Sequence, residues 1–126
     1  MSAIFNGVTV EEIEGILREI NWTYRREAKE RDLCCLSSAA GGYVFLIFLQ
    51  DRLQGGRFGT VTFVAQFDSS RPLETVNDWN REMKYTKVYL SNEGKVRLEM
   101  DVSAEGLTKQ LFVDSLKIYE RSLRQL

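Results

Sequence analysis

The stretch that decides the fold is Thr86–Val102, TKVYLSNEGKVRLEMDV. Apolar residues occupy every second position of its last part, namely Val96, Leu98, Met100 and Val102. Charged residues occupy the positions between them, namely Lys95, Arg97, Glu99 and Asp101. This alternation predicts a strand with one face against a core and one face in water. Because the turn Asn92–Gly94 separates it from the apolar run before it, the stretch predicts a β-hairpin.

The remaining elements fit around this hairpin in an order that favours antiparallel pairing. A capping box formed by Thr9 and Glu12 begins a first helix, Thr9–Ile20. The other predicted elements are strands at Thr23–Glu30, Leu33–Ser38, Tyr43–Leu49 and Thr60–Phe67, a helix at Pro72–Lys84, the hairpin strands Thr86–Leu90 and Lys95–Val102, and a helix at Thr108–Leu126. The order α-β-β-β-β-α-β-β-α predicts one α+β domain over residues 1–126, with helices packed on an antiparallel sheet.

The most apolar stretch of the chain is YVFLIFL, Tyr43–Leu49. A near-continuous apolar run of this length predicts a strand in the middle of the sheet that is buried on both faces. It is much shorter than the roughly 20 residues that span a bilayer, so we expect no membrane segment here.

Composition argues against several classes of function. The formal net charge is -1, whereas a nucleic-acid-binding domain usually has a basic excess. The chain contains no histidine, the commonest general base and metal ligand. Its two cysteines, Cys34 and Cys35, are adjacent, which is not a zinc-binding spacing. We therefore expect no metal, no cofactor and no nucleic-acid partner.

The cysteines and the N-terminus indicate where the protein is located. Two packed, reduced cysteines fit a cytoplasmic protein. The N-terminus lacks a basic region followed by a long apolar run, so we expect no signal peptide.

Acidic residues interrupt the basic cluster, which predicts a solvated strand and turn. That cluster consists of Arg25, Arg26, Lys29 and Arg31.

The second helix contains an unusual group of polar residues, VNDWNREMKY at Val76–Tyr85. On a helical wheel its apolar stripe is Leu73, Val76, Trp79 and Met83. Asn80 falls inside this stripe and Asn77 at its border, so Asn80 is predicted to be buried. A buried amide needs partners, and we expect Asn80 to clamp the helix to the next strand near Tyr85–Val88. Alternatively, the amides and Trp79 line a surface that binds a partner.

Carboxylates provide the main route to an enzymatic interpretation. Asp78 and Glu82 lie four residues apart on the outer side of the second helix, while Glu99 and Asp101 lie on the solvent face of a strand. No histidine, metal cluster or activated nucleophile accompanies them, so the sequence favours a protein that is not an enzyme.

The last helix carries two apolar stripes. The wider one is predicted to cover the sheet and contains Phe112, Leu116, Tyr119, Leu123 and Leu126. The narrower one contains Leu107, Leu111 and Ile118. It is either peripheral core or a surface that meets a second subunit or a partner.

The segment Leu73–Leu123 resembles the YbjN family of bacterial proteins, described as sensory transduction regulators. The resemblance lies in a helix with the pattern Asn77, Trp79 and Asn80, a strand pair with a glycine turn, Asp101 after the second strand, and a long C-terminal helix. It implies a fold like that of type III secretion chaperones, commonly dimeric, and it implies no known catalytic residues. The resemblance implies that Asn77, Trp79, Asn80 and Asp101 are signature positions with an architectural role.

The resulting functional hypothesis is a non-enzymatic regulatory or protein-binding module of the YbjN type. It is expected to act as a cytoplasmic homodimer in bacterial signalling or stress response. The alternative is a dedicated secretion chaperone that holds a segment of its partner. That class is usually more acidic than a chain with a net charge of -1.

Overall fold

The computed structural model describes residues 4–29 and 33–126, which form an α+β fold. The helices are α1 (Val10–Glu19), α2 (Leu73–Glu82) and α3 (Lys109–Gln125). The strands are β1 (Ile4–Asn6), β2 (Tyr24–Lys29), β3 (Cys34–Ala40), β4 (Tyr43–Arg52), β5 (Phe58–Gln66), β6 (Lys87–Leu90), β7 (Val96–Ser103) and β8 (Glu105–Thr108). Six of them form a sheet in the order β2-β3-β4-β5-β7-β6. All neighbours in it are antiparallel, which confirms the predicted fold class.

Two short strands were missing from the sequence prediction. β1 and β8 pair with each other as a separate two-stranded sheet. They contain three and four residues, so neither is long enough to show a periodic pattern. Gly106 lies within β8 and has a φ of 77°, a backbone conformation that glycine adopts without strain. The order of the other elements agrees with the prediction.

Helix α1 begins where its capping box predicts. The Glu12 N–H donates to Thr9 Oγ1 at 3.2 Å, and the Thr9 N–H donates to Glu12 Oε1 at 2.9 Å. Helix α3 is capped similarly by Thr108, whose hydroxyl accepts from the Leu111 N–H at 3.1 Å. None of the helices in the described residues is long and apolar enough to cross a membrane.

One face of the sheet carries the hydrophobic core. Buried side chains of α1, α3 and Val76 of α2 belong to a single cluster with one face of β3, β4, β5, β6 and β7. Four aromatic rings occupy its centre: Phe45, Phe63, Phe112 and Tyr119. The Tyr119 hydroxyl is buried there and donates to the Leu98 carbonyl oxygen at 2.7 Å. Burial of these large side chains in one layer fixes the helices to this face.

The opposite face of the sheet is not covered by a helix of the described chain, and this overturns one prediction. β4 lies in the middle of the sheet, as expected. Phe45, Ile47 and Leu49 are buried, but the alternating Leu46 and Phe48 are only partly buried. Val44 is 69% exposed. The expectation that Tyr43–Leu49 is buried on both faces is therefore wrong.

Arg25 and Arg26 of the basic cluster lie at the β2 edge of the sheet and are paired with acids, as expected of a solvated strand. Arg26 reaches α1 and donates to both carboxylate oxygens of Glu14 at 2.8 and 2.9 Å. Arg25 binds Glu27 at 2.9 Å. A register shift between Arg26 and Ala28 interrupts the pairing with β3. Charges and a bulge discourage a further strand from adding to this edge. Arg31 lies outside the described residues.

Candidate functional site

The candidate site is the uncovered face of the six-stranded sheet, which we call the open face. Its side chains come from alternate positions of the strands: Cys35 and Ser37 of β3, Val44, Leu46, Phe48 and Gln50 of β4, Thr62, Val64 and Gln66 of β5, Arg97, Glu99 and Asp101 of β7, and Lys87 and Tyr89 of β6. Apolar residues concentrate on β4 and continue at Val64 of β5, and charged residues follow on β7 and at Lys87 of β6. The face thus has an apolar centre with a charged border.

The strand register aligns these side chains in rows across the sheet. Leu46 lies opposite Val64, Val64 opposite Glu99, and Glu99 opposite Lys87. We call this set the Glu99 row.

Two residues further along each strand lie the members of the next row. Gln66 lies opposite Arg97, and Arg97 opposite Tyr89, with Val44 two residues from Leu46 on β4. We call Val44, Gln66, Arg97 and Tyr89 the Arg97 row. Each row therefore has an apolar residue on β4 and a charged residue on β7.

The open face is concave over these two rows. A depression of about 560 Å³ lies over β4, β5, β7 and β6. Val44, Leu46, Phe48 and Val64 supply its apolar lining. Arg97, Glu99 and Tyr89 supply polar groups at the β7 and β6 side. An apolar depression bordered by a few charged groups is the usual form of an interaction site on a protein surface.

The charged side chains at this border already contact their neighbours on the sheet. Arg97 Nε donates to Gln66 Oε1 at 2.8 Å. Lys87 Nζ lies 3.8 Å from Glu99 Oε2. Burial also raises the pKa of the Tyr89 hydroxyl, so the phenol stays neutral at physiological pH. These contacts hold the charged groups in place along β7.

Asp101 is the signature residue that the structure places on the open face. Its carboxylate accepts a hydrogen bond of 2.7 Å from the Thr62 hydroxyl across the β5–β7 pair. The backbone alternation of β7 puts it on the same side as Arg97 and Glu99. Asp101 thus ties together two strands at the border of the site.

Asn80 lies at one edge of the sheet and makes the contact that the sequence predicts. Its Nδ2 donates to the Val88 carbonyl oxygen at 2.8 Å, and its Oδ1 accepts from the Val88 N–H at 2.7 Å. The side-chain amide thereby occupies the place of a neighbouring strand beside β6, which is an edge strand. The prediction that Asn80 is buried is wrong, because the residue is exposed at this edge.

Trp79 and Asn77, the other two signature residues on α2, have different environments. Trp79 is partly buried, and its Nε1 donates to the Thr86 hydroxyl at 3.3 Å. Thr86 in turn contacts the hydroxyl of Ser122 on α3 at 3.4 Å. Asn77 is exposed. Leu73, which the helical wheel placed in the apolar stripe, is 67% exposed, whereas Val76 of the same stripe is buried in the core.

Comparison with protein-family models decides the identity of the fold family. The model described as "YbjN: Putative bacterial sensory transduction regulator" matches residues 9–126, nearly the whole chain. The chain belongs to the YbjN family. Comparisons with curated proteins and with solved structures gave no significant match. The expected likeness of this YbjN chain to type III secretion chaperones therefore stays a prediction.

The apolar stripe predicted on the last helix of the YbjN chain divides in three dimensions. Leu107 belongs to β8, where it pairs with Phe5 and is buried, because the helix begins two residues later than Leu107. Leu111 is 53% exposed on the first turn of α3. Ile118 is partly buried and lines a cleft of about 690 Å³ with Ile20 and Trp22. Of the three residues of the predicted stripe, Leu111 and Ile118 thus lie on α3 and Leu107 does not.

The carboxylates considered for catalysis do not form a common site. Asp78 pairs with Arg81 on the surface of α2. Glu82 is exposed at the end of the same helix, whereas Glu99 and Asp101 are held by Lys87 and Thr62 on β6 and β5. Among the described residues there is no group of three metal-ligating side chains.

The two cysteines lie on opposite faces of β3, and both are buried. Burial, together with the negative charge of Glu27, raises the pKa of the Cys35 thiol. A raised pKa disfavours the thiolate, which is the nucleophilic form. Cys35 therefore has the environment of a packed thiol.

Sequence reasoning missed the open face because its most apolar strand suggested burial on both sides. One clue was present: Val64 and Thr62 of β5 alternate with larger apolar residues, and β7 is charged at every second position. The charged face of β7 is a solvent-exposed face of the same sheet that contains β4. Because side chains on one face of a sheet share one environment, the corresponding face of β4 could have been predicted to be uncovered as well.

Proposed function

We propose that this chain is a non-enzymatic regulatory module that acts by binding other proteins and works as a homodimer. The regulatory part is supported by membership of a family described as a sensory transduction regulator. The proposed setting is the cytoplasm of a bacterium, in signalling or stress response. Two buried cysteines are compatible with a reducing compartment.

The observation that carries the proposal is the open face with its apolar centre. Val44 is 69% exposed, and Leu46, Phe48 and Val64 are only partly buried beside it. Contiguous apolar surface of this kind is unfavourable in water and marks a contact with another protein.

A second surface, on the outer side of α3, is proposed for the regulated partner. The cleft beside α3 has an apolar floor made by Ile20, Trp22 and Ile118. Its rim carries charges of both signs: Asp114, Lys117, Glu120 and Arg121. An apolar floor with a balanced charged rim suits a protein segment that inserts an apolar side chain. Leu111 lies seven residues before Ile118 on the same helix and extends this surface.

Two measurements test the two parts of the proposal separately. Light scattering on the purified chain at tens of micromolar is expected to give twice the mass of one chain, and a monomer at that concentration would remove the homodimer. Affinity co-purification from the native cell is expected to recover a specific protein partner.

A matched pair of variants makes the second measurement specific. We expect Ile118→Asp to lose the partner, because it removes the apolar side chain that the floor offers for contact and puts a charged group in its place. Asp78→Ala, on the surface of α2 and outside this cleft, is expected to retain it. Equal recovery with both variants would show that the partner binds elsewhere.

A further inference from the structure

Strand β7 presents an antisymmetric series of charges on the open face. Lys95, immediately before the strand, and Arg97 are positive, whereas Glu99 and Asp101 are negative. The residues between them, Val96, Leu98 and Met100, are buried in the core, so the four charged side chains point to the same side. When one copy of β7 is laid antiparallel over a second copy, each positive residue of the series therefore faces a negative residue of the other copy.

Such a series matches the symmetry of a particular occupant. In an interface between two identical chains related by a two-fold axis, each patch meets its own copy. A two-fold axis that crosses the strands between Arg97 and Glu99 lays one β7 antiparallel over the other. Arg97 then faces the partner copy's Glu99, and Lys95 faces the partner copy's Asp101, each contact occurring twice. All four pairs bring opposite charges together.

The geometry points to a second copy of this chain as the occupant of the open face, packed face to face about that axis. This inference rests on the homodimer of the proposed function and specifies its interface. The two sheets then form a sandwich with the helices on its outer surfaces, an arrangement in which aligned sheets lie about 10 Å apart.

The same axis also matches the other strands of the face. It lays the Arg97 row of one copy over the Glu99 row of the other. The exposed Val44 therefore lies over the second copy's Leu46, and Gln66 lies over its Val64. Tyr89, which is neutral, lies over the second copy's Lys87. No row brings two like charges together.

The size of the face is adequate for a stable dimer. β4 has 10 residues, or about 33 Å at about 3.3 Å per residue. Six strands at a spacing of about 4.8 Å span about 24 Å. Because β2 has only six residues and β6 only four, the face is somewhat smaller than this rectangle of about 800 Å², and it still falls within the roughly 600–1,000 Å² per partner of a standard interface.

The intrachain contacts of the two basic residues, Arg97 and Lys95, are compatible with a second partner. Arg97 uses Nε for Gln66, and a guanidinium has further N–H groups to offer. Lys95 Nζ lies 3.3 Å from Asp68 Oδ1 at the surface. Such exposed ion pairs add little to stability, so breaking this one to contact a second copy costs little free energy.

Charge exchange on β7 tests this inference, with sedimentation velocity as the readout. Arg97→Glu and Glu99→Arg are each expected to weaken dimerisation by more than about tenfold, because each variant places only like charges at the central pairs. The double variant Arg97→Glu/Glu99→Arg is expected to restore the dimer, since both copies then carry the exchanged series. A mixture of the two single variants is expected to form a heterodimer, because the first supplies two negative and the second two positive charges.

Matched controls lie on the other side of the molecule. Lys117→Glu and Asp114→Lys reverse exposed charges on α3 and are expected to leave dimerisation unchanged. Wild-type circular dichroism spectra for all variants would show that each one folds.

Outcomes that overturn the inference are distinct from those that overturn the proposed function. Dimers of normal strength in both single variants would place the interface elsewhere while leaving the homodimer intact. Loss of dimerisation that the double variant does not restore would indicate an interface without this symmetry. A wild-type chain that is monomeric would contradict both the homodimer and the interface inferred for it. Binding of a partner at the cleft beside α3 is measured independently by co-purification.

Discussion

The two faces of the six-stranded sheet come from the same strands but have opposite environments. On β4, Ile47 is fully buried beneath the helices, while its neighbour Leu46 is partly buried on the open face. One face is packed by residues of its own chain, and the other presents an apolar centre with a charged border. Stability and the proposed binding thus belong to different faces of one strand, and substitutions only one residue apart should separate them.

The largest effect is expected from a matched pair of alanine substitutions on β4. Ile47→Ala should lower the free energy of unfolding by about 2–5 kcal/mol, because it leaves a cavity in the packed core. Leu46→Ala should cost about 1 kcal/mol or less in the single chain and should instead weaken self-association. Urea denaturation at protein concentrations below dimerisation measures the first effect. Equal losses would mean that the open face is packed like the core within one chain.

The second prediction concerns the pH dependence of the covered face. Burial raises the pKa of the Tyr119 hydroxyl above its usual value of about 10. Below about pH 10 this tyrosine is neutral in both the folded and the unfolded chain, and its contribution to stability is complete. Above about pH 10 the unfolded chain loses the proton first, so the free energy of unfolding should fall as the pH rises.

Tyr119→Phe separates this titration from the general effect of alkali. The variant should lose about 1 kcal/mol at neutral pH, because the hydrogen bond to Leu98 is removed, and its stability should decline less steeply above pH 10. Denaturant titrations from neutral to alkaline pH provide the measurement. Tyr85→Phe, at a residue that is 65% exposed, is the control and should keep the wild-type slope. An unchanged slope in Tyr119→Phe would contradict the assignment.

The third prediction extends the comparison from the faces to the edge of the sheet. Asn80→Ala should lower the free energy of unfolding by about 1 kcal/mol, since two hydrogen bonds are lost but water can reach the exposed edge. Asn80→Asp keeps the acceptor for the Val88 N–H and loses the donor to its carbonyl oxygen. We expect this variant to be less stable than wild type, and its amide exchange at Val88 to stay slower than in Asn80→Ala. Identical exchange in both variants would argue against the bidentate contact.

The smallest effect is expected at Asp78 on the outer surface of α2. Asp78→Ala removes only an exposed pair with Arg81 and should change the free energy of unfolding by less than about 0.5 kcal/mol. Thermal unfolding of this variant beside Asn80→Ala is the direct comparison. A larger loss for Asp78→Ala than for Asn80→Ala would reverse the roles assigned to the two sides of the helix.

The sequence by itself determined the α+β class, the order of the main elements and the helix starts. These features follow from local patterns: alternation along β7, the capping box at Thr9 and the glycine turn before Lys95. Such patterns act through neighbours in the chain, so they are visible without a fold. The contact between Asn80 and the strand at Val88 also belongs here, because the two lie only eight residues apart.

Only the tertiary structure decided which surfaces remain uncovered. Hydrophobicity records that Leu46 and Phe48 are apolar, but it does not record whether a helix packs over them. Leu107 likewise looked like part of a helical stripe and became buried by pairing with Phe5, a hundred residues away. Burial depends on contacts between distant segments, and for that reason the open face of the sheet appeared only in three dimensions.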